Sequence, residues 1–176
     1  MSPTRCPKSG KRTMAAPDLI EPFIGWKGLL ADPKGGLWSP QQTTRWPVGK
    51  PLIAKCLNHP KIHKPPVASC GCGIYAVKTF EDLKHHRYNW GGPISINVPT
   101  YPEETEEKVW VLAEVALYGE VVPGRIGWRA SKAAPQVVYV SAMNIPLGGL
   151  IRKRYGVDLG LIDRFTGKRM MLGRRH

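Results

Sequence analysis

The stretch KVWVLAEVALYGEVV, residues 108–122, decides the fold class, because its apolar residues alternate as they do along a β-strand. One face of the strand would be apolar throughout, and the other would carry Glu114 and Glu120 among its apolar residues. Thirteen residues, 109–121, make a long strand, so we expect a bend or bulge at Gly119. The letters VPGR that end at residue 125 predict a type II turn with Pro123 second and Gly124 third.

Further short strands are predicted on both sides of this stretch. FIGWKGLL, residues 23–30, reads as a strand that ends in the turn DPKGG, residues 32–36. QVVYV, residues 136–140, predicts another strand, and GLIDRFTGKRMML, residues 160–172, predicts a closing hairpin. Prolines at 40, 47 and 51 exclude a long helix in that part of the chain and favour edge or crossing strands.

Two helices are predicted. The first, in TFEDLKHHRYNW at residues 79–90, has Thr79 as its N-cap with Asp82 three residues later, a variant of the capping box, and Gly91 just beyond. The second, in PLGGLIRKRYG at residues 146–156, would end at Gly156. Its inward-facing residues are expected to be Leu147, Leu150 and Ile151.

Together these elements predict an α+β fold that is rich in β-structure. The expected architecture is a small curled sheet or barrel with one or two short helices and a zinc knuckle. Residues 1–17 should form a flexible basic tail in which Cys6 is a free thiol, and residues 18–176 a single domain.

The sequence also bears on the cellular compartment of the protein. No run of about 18 apolar residues could form a transmembrane helix, and the N-terminus has no apolar core of a secretory signal. The sequence therefore predicts a cytoplasmic protein without a membrane partner, in the host cytoplasm if it is phage-encoded. Structural disulfides are not expected in that compartment.

Positive charge dominates the sequence and is unevenly distributed. The formal net charge is +13, and residues 33–80 contain seven Lys or Arg but no acidic residue among 48. Acidic residues gather in EETEE, residues 103–107, which we expect to be a solvated loop. This asymmetry predicts a polyanionic partner, either nucleic acid (DNA or RNA) or an acidic protein surface. The alternative is that the charge serves solubility alone.

Four residues with the spacing C-x6-H-x6-C-x-C predict a zinc site. Zinc in structural sites takes four thiolate or imidazole ligands in a tetrahedron. The letters CGCG form a tight knuckle in which Gly71 and Gly73 would relieve backbone crowding around the metal. The predicted ligands are Cys56, His63, Cys70 and Cys72.

Other interpretations of the same residues exist. His59 competes with His63 as the imidazole ligand, although it precedes a proline. A catalytic Cys–His pair needs fewer cysteines than are clustered here, and a Cys70–Cys72 disulfide has poor geometry. Buried cysteines without a ligand are the remaining alternative. A zinc deaminase is excluded, because no histidine is followed two residues later by glutamate.

Three segments, residues 25–56, 63–76 and 113–140, resemble an uncharacterised family of actinobacterial and actinobacteriophage proteins. The family shows a cysteine, then H-x-x-P-x-x-x-C-x-C-G-I-Y-A, then G-x-V…G-[YW]-R-A. The resemblance covers roughly residues 24–140, favours His63 over His59, and implies no activity. The matching positions here are Cys56, His63, Cys70, Cys72, Gly73, Ile74, Tyr75, Ala76, Gly119, Val121, Gly127, Trp128, Arg129 and Ala130.

The segment GRIGWRASKA, residues 124–133, interleaves cations with an aromatic ring. In one interpretation Trp128 stacks on bases while the cations contact phosphate. In the other, Trp128 belongs to the core and Arg129 pairs with Glu114 or Glu120. The clusters near the C-terminus could follow a nucleic-acid backbone. The candidate partner-binding residues are Arg125, Trp128, Arg129, Lys132, Arg152, Lys153, Arg154, Lys168 and Arg169, with Arg164, Arg174 and Arg175 in the same C-terminal region.

The sequence thus predicts a basic, zinc-containing binding protein that contacts nucleic acid and has no catalytic residues. The first alternative is a phage-type effector that binds an acidic surface of a host protein. The second is an enzyme of unknown chemistry, although no phosphate-binding loop, dinucleotide fingerprint or nucleophile elbow supports it.

Overall fold

The computed structural model of the chain describes residues 22–40, 44–57, 63–85, 108–163 and 166–173. The basic tail with Cys6, the rival ligand His59, Gly91, the acidic segment 103–107, Arg164, Arg174 and Arg175 lie outside these residues. Within them the strands are β1 (Phe23–Ala31), β2 (Leu37–Ser39), β3 (Thr44–Arg45), β4 (Leu52–Ile53), β5 (Ile74–Val77), β6 (Val109–Pro123), β7 (Gly127–Val140), β8 (Asp158–Ile162) and β9 (Arg169–Gly173). The helices are α1 (Phe80–His85) and α2 (Ile145–Tyr155), with a short 3₁₀ turn at Ala142–Asn144.

The long strand predicted from the alternating pattern is β6, and it lies at the centre of the sheet. It pairs antiparallel with β1 on one side, from Phe23 opposite Leu117 to Ala31 opposite Val109, and with β7 on the other. Most residues in the middle of β6, from Val111 to Leu117, are buried on both faces, whereas Glu120 and Pro123 near its end are exposed. The expected bulge is confirmed: the register with β7 shifts between Tyr118 and Val121, around Gly119.

Gly119 has the backbone conformation that such a bulge requires. Its φ is +74°, in the left-handed region that favours glycine. A Cβ at this position would also collide with Ser131 Oγ, the hydroxyl that accepts the Glu120 N–H at 3.0 Å. A second register shift between Glu114 and Val115 bends the strand further.

The sheet curls until four of its strands form a closed ring. β1 pairs β6, β6 pairs β7, β7 pairs β5, and β5 returns to β1 through Trp26 opposite Val77. The prediction of a strand-rich fold with a small curled sheet or barrel is therefore confirmed. β7 also carries β4 and, in parallel orientation, β8, whose hairpin with β9 ends the sheet as predicted.

Two hydrophobic clusters lie on either side of β6. The larger one contains Leu29 and Val115, both fully buried, and lies inside the curl, where α2 also packs. The smaller one joins Leu112 and Tyr139 to Phe80 of α1. The predicted cap of α1 is present, because Thr79 Oγ1 accepts the Asp82 N–H at 3.1 Å.

α2 follows the prediction except at one residue. Ile151 is fully buried, but Leu150 is 47% exposed, so its predicted inward position is wrong. The buried inward position is taken by Gly148, where a Cβ would lie 2.8 Å from a methyl group of Leu159. Gly156 ends the helix with φ +62°, as expected. No helix in the described ranges has the length and apolar character to cross a membrane.

The turn between β6 and β7 lies further along the chain than predicted. β6 continues through Pro123, and the Gly124 N–H binds the Gly127 carbonyl at 2.8 Å. Arg125 and Ile126 are therefore the central residues of the turn. The following strand begins at Gly127 and not at residue 136, so the GWRASKA segment is part of β7.

Candidate metal centre

The four predicted ligands come from two segments that β7 holds together. Cys56 follows β4, whose end is fixed to β7 by the Ala54 N–H, which donates to the Ser131 carbonyl at 2.8 Å. The other three ligands lie in residues 63–72, immediately before β5. Because β4 and β5 both pair with β7, the cysteine after one strand meets the loop that precedes the other.

The ligand atoms are close enough to share one metal ion. The Sγ atoms of Cys56, Cys70 and Cys72 and a ring nitrogen of His63 all lie within 4.8 Å of one another. Cys56 Sγ is 3.9 Å from Cys70 Sγ, and His63 Nε2 is 3.2 Å from Cys72 Sγ. Tetrahedral bonds of about 2.3 Å to zinc would separate two thiolates by about 3.8 Å. The four residues therefore could hold a metal ion, as the sequence predicted.

The three thiols are not joined by disulfides and are crowded together. Cys56 and Cys70 are buried, and Cys72 is half-buried. Burial, with the neighbouring thiols Cys70 and Cys56, raises the pKa of Cys72 to about 11. A bound cation reverses this effect, because a thiol that coordinates a metal is deprotonated. The cluster is chemically suited to a metal that brings its own positive charge.

The backbone of the knuckle depends on Gly73 more than on Gly71. Gly73 has φ +120°, and a Cβ there would lie 3.1 Å from the Pro66 Cβ and 3.2 Å from the Arg129 Cβ. At Gly71 a Cβ would meet only the Tyr75 hydroxyl, at 3.7 Å. Residue 73 must therefore be glycine, both for its backbone conformation and because a side chain would not fit. At residue 71 there is room for a Cβ. The Tyr75 hydroxyl donates a hydrogen bond of 2.6 Å to the Gly71 carbonyl.

Arg129 secures the loop that carries the ligands. One guanidinium nitrogen, Nη1, donates to the carbonyl of Cys70 and, at 3.2 Å, to that of Cys72. The same nitrogen lies 3.3 Å from the Val67 carbonyl, and Nη2 donates to the Ala68 carbonyl at 3.4 Å. The side chain reaches this loop because Arg129 on β7 is directly opposite Tyr75 on β5.

This role of Arg129 was not predicted from the sequence. The two predicted roles were phosphate binding and a pair with Glu114 or Glu120, and Glu114 instead accepts the Tyr139 hydroxyl at 2.6 Å. A signal was available in the sequence. A glycine-rich knuckle without regular structure leaves carbonyls that need donors, and an arginine supplies several donors from one planar group.

Trp128 belongs partly to the core. Its ring packs against the larger hydrophobic cluster and lies 4.9 Å from the Phe23 ring, centroid to centroid. The Lys78 ammonium is 4.7 Å from the same ring. Its indole Nε1 is buried and has no hydrogen-bond partner among the described residues. These contacts favour the packing interpretation of Trp128 over stacking on bases.

The other candidate partner-binding residues are distributed over three parts of the fold. Five of them are exposed. Arg125 lies in the β6–β7 turn and Lys132 on β7. Arg152 and Lys153 lie in the last turn of α2, and Lys168 precedes β9. Arg154 and Arg169 contact other parts of the protein. Arg154 donates to the Lys34 carbonyl at 3.2 Å, and the Arg169 guanidinium lies 4.5 Å from the Trp26 and Phe80 rings. Among the described candidates, Arg129 is the one whose hydrogen bonds reach the ligand-bearing loop.

Four protein ligands would fill a tetrahedral metal and leave no position open for substrate, which is typical of a structural centre. Comparison of the chain with protein-family models, with curated proteins and with solved structures gives no match.

Proposed function

We propose that the protein is a non-catalytic, zinc-stabilised binding protein whose ligand is nucleic acid. The observation that carries the metal part of the proposal is the convergence of three thiols and one imidazole within 4.8 Å, from the segment after β4 and the loop before β5. A metal bound there would join the segment after β4 to the loop before β5. Its contribution would be to folding and not to chemistry.

Zinc is the metal that best suits this ligand set. Three thiolates and an imidazole are soft or borderline ligands, which disfavours magnesium and calcium. The Cys₃His set is common in structural zinc sites. Chelation should therefore unfold or loosen the protein, and we expect a large fall in its melting temperature when zinc is removed.

Nucleic acid is proposed on the basis of charge. The chain carries 26 Lys or Arg against 13 Asp or Glu, and Arg125, Lys132, Arg152, Lys153 and Lys168 are exposed. Cations on a surface bind phosphates by releasing condensed counterions, which requires no particular recognition motif. The uneven distribution of charge supports a dedicated polyanion surface over general solubility.

The test is a filter-binding titration of single-stranded DNA, single-stranded RNA and duplex DNA. We expect affinity to fall steeply between about 50 mM and 200 mM salt, because each neutralised phosphate releases a counterion. Absence of measurable binding at low salt would refute the nucleic-acid proposal. Retention of an acidic host protein from nuclease-treated lysate would then favour the effector alternative.

A further inference from the structure

A cleft of about 850 Å³ lies next to the metal cluster. Its walls are the ends of β2 and β3, the segment around β4, and the knuckle together with β5. The described residues that line it include no aspartate or glutamate. Four cationic side chains do line it, from three separate parts of the chain: Lys27, Arg45, Lys50 and Lys55.

Lys27 is the most unusual of these residues. It lies in the interior of β1 and is only 9% exposed, and its Nζ donates to the Tyr75 carbonyl at 2.9 Å. Its ammonium group has three hydrogens, and no carboxylate of the described residues pairs with it. A buried cation without a counter-ion opposes folding. A buried charged group at the wall of a cleft is a candidate for a functional site, and an anion in the cleft would provide its missing partner.

The other cations lie at the mouth of the cleft and are exposed. The charge of Arg45 is partly balanced by the carboxylate of Asp32. Burial raises the pKa of Asp32, but hydrogen bonds from Trp38 and two backbone amides, together with the charge of Arg45, hold that pKa below its usual value. Lys50 and Lys55 have no carboxylate partner within the described part of the chain. Three positive charges in the cleft are thus available to a ligand.

The cleft also has aromatic and apolar surface that could contact a base. The Tyr75 ring is 46% exposed at one wall, and the side chains of Ile53 and Leu57 are more than half exposed at another. Proteins that bind single strands combine a basic groove with aromatic side chains on which bases stack. The volume is within the range of sites for small ligands, about 300–1,000 Å³, and is too small for a duplex.

We propose that this cleft binds a nucleotide unit of single-stranded nucleic acid, with phosphate on Lys27, Lys50 and Lys55 and the base against Tyr75. This inference rests on the proposed function and places its binding site. The cleft is a different site from the one that the sequence suggested, which consisted of the cations of α2 and of the β6–β7 turn. A free nucleotide carries the same phosphate and base, and the experiment distinguishes it from a single strand.

The experiment measures fluorescence anisotropy of a labelled single strand of about 10 nucleotides, a length within the usual site size. The cleft variant is Lys50→Gln with Lys55→Gln, both at exposed positions where the fold should tolerate the change. We expect a loss of affinity of at least about tenfold. The slope of log affinity against log salt should fall by about 1.4, which is two phosphates at 0.7 each.

The matched control is Lys34→Gln with Lys64→Gln, which removes the same charge from exposed positions outside the cleft. It should reduce affinity much less than the cleft variant. Lys27→Met should weaken binding while the zinc content is unchanged. The rival surface is tested by Arg152→Gln with Lys153→Gln on α2.

The outcomes separate this inference from the proposed function. If the α2 variant loses affinity and the cleft variant does not, the cleft is refuted while nucleic-acid binding stands. If the wild-type protein binds no strand, the proposed function fails, and calorimetric titration with a nucleoside monophosphate decides the cleft. Binding of the monophosphate that the cleft variant abolishes would support a free-nucleotide site, and no binding would overturn the inference.

Discussion

Arg129→Met should weaken both the fold and the metal centre, because it removes one group that holds the ligand-bearing loop. The guanidinium donates to carbonyls of Val67, Ala68, Cys70 and Cys72. Methionine keeps much of the apolar stem and removes all the donors. The change therefore isolates the hydrogen bonds from the packing of the side chain.

The size of the effect follows from the number and the quality of these bonds. A hydrogen bond to a charged group contributes about 1.5–3 kcal/mol, but three of the four are long, at 3.2–3.4 Å. The half-exposed loop can also be hydrated after the mutation. We therefore expect a loss of about 2–4 kcal/mol in the free energy of unfolding, because charged hydrogen bonds on one group are not additive. For a chain of this size that lowers the melting temperature by about 5–15 °C.

Metal affinity should fall as well. Residues that orient metal ligands typically contribute about 10- to 100-fold in affinity, and competition with a chromophoric chelator measures this. Arg125→Met is the matched control, since it removes an exposed guanidinium four residues away on the same hairpin. If Arg129→Met matched Arg125→Met in melting temperature and in zinc affinity, our account of the loop would be wrong.

Three further predictions concern stability. Burial lowers the pKa of Lys27 from 10.5 to about 8, so the unfolded chain holds the proton more tightly and the charge opposes folding below about pH 8. This difference in pKa corresponds to about 3.4 kcal/mol at pH 7, and the lost hydrogen bond to the Tyr75 carbonyl offsets about 1 kcal/mol of it. Lys27→Met should thus raise stability by about 2 kcal/mol at pH 7, with the gain shrinking as the pH rises from about 8 to 10.5; a loss of stability at pH 7 would contradict this. Gly148→Ala should destabilise α2 by about 1–3 kcal/mol because the Cβ meets Leu159, whereas Gly149→Ala, with open space, should stabilise it by up to about 1 kcal/mol. Equal melting temperatures for the two glycine variants would refute this packing. Trp128→Ala should lower stability by about 2–4 kcal/mol; an unchanged melting temperature with lost single-strand binding would restore the stacking interpretation.

The sequence predicted those parts of the fold that depend on local patterns. Alternation of apolar residues identifies β6, and a glycine in a strand too long to stay regular locates the bulge at Gly119. The cap at Thr79 and the stop at Gly156 are likewise local. Pairing between distant strands is not encoded in this way, so the closure of the ring through β5 and β1 was expected only in outline, as a curled sheet.

In the candidate site, too, local features were predicted and features that depend on tertiary pairing were not. Spacing of the cysteines and histidine, with the family resemblance that favoured His63, identified the four residues that lie together and could hold a metal ion, because ligand chemistry limits the residue types. The role of Arg129 was missed because it depends on β7 lying opposite β5, a register that is set by tertiary pairing. The basic cleft was missed for a similar reason. The acid-free segment was evident, but Lys27 comes from β1, and only the fold brings it to Lys50 and Lys55.

The central claim is that Cys56, His63, Cys70 and Cys72 form one structural zinc site. X-ray absorption at the zinc edge, on purified protein of known metal content, tests it most directly. The account predicts about one zinc per chain, with three sulfur ligands at about 2.3 Å and one nitrogen at about 2.0–2.1 Å. Well-folded protein that contains no zinc, or bound zinc surrounded only by nitrogen and oxygen, would contradict it.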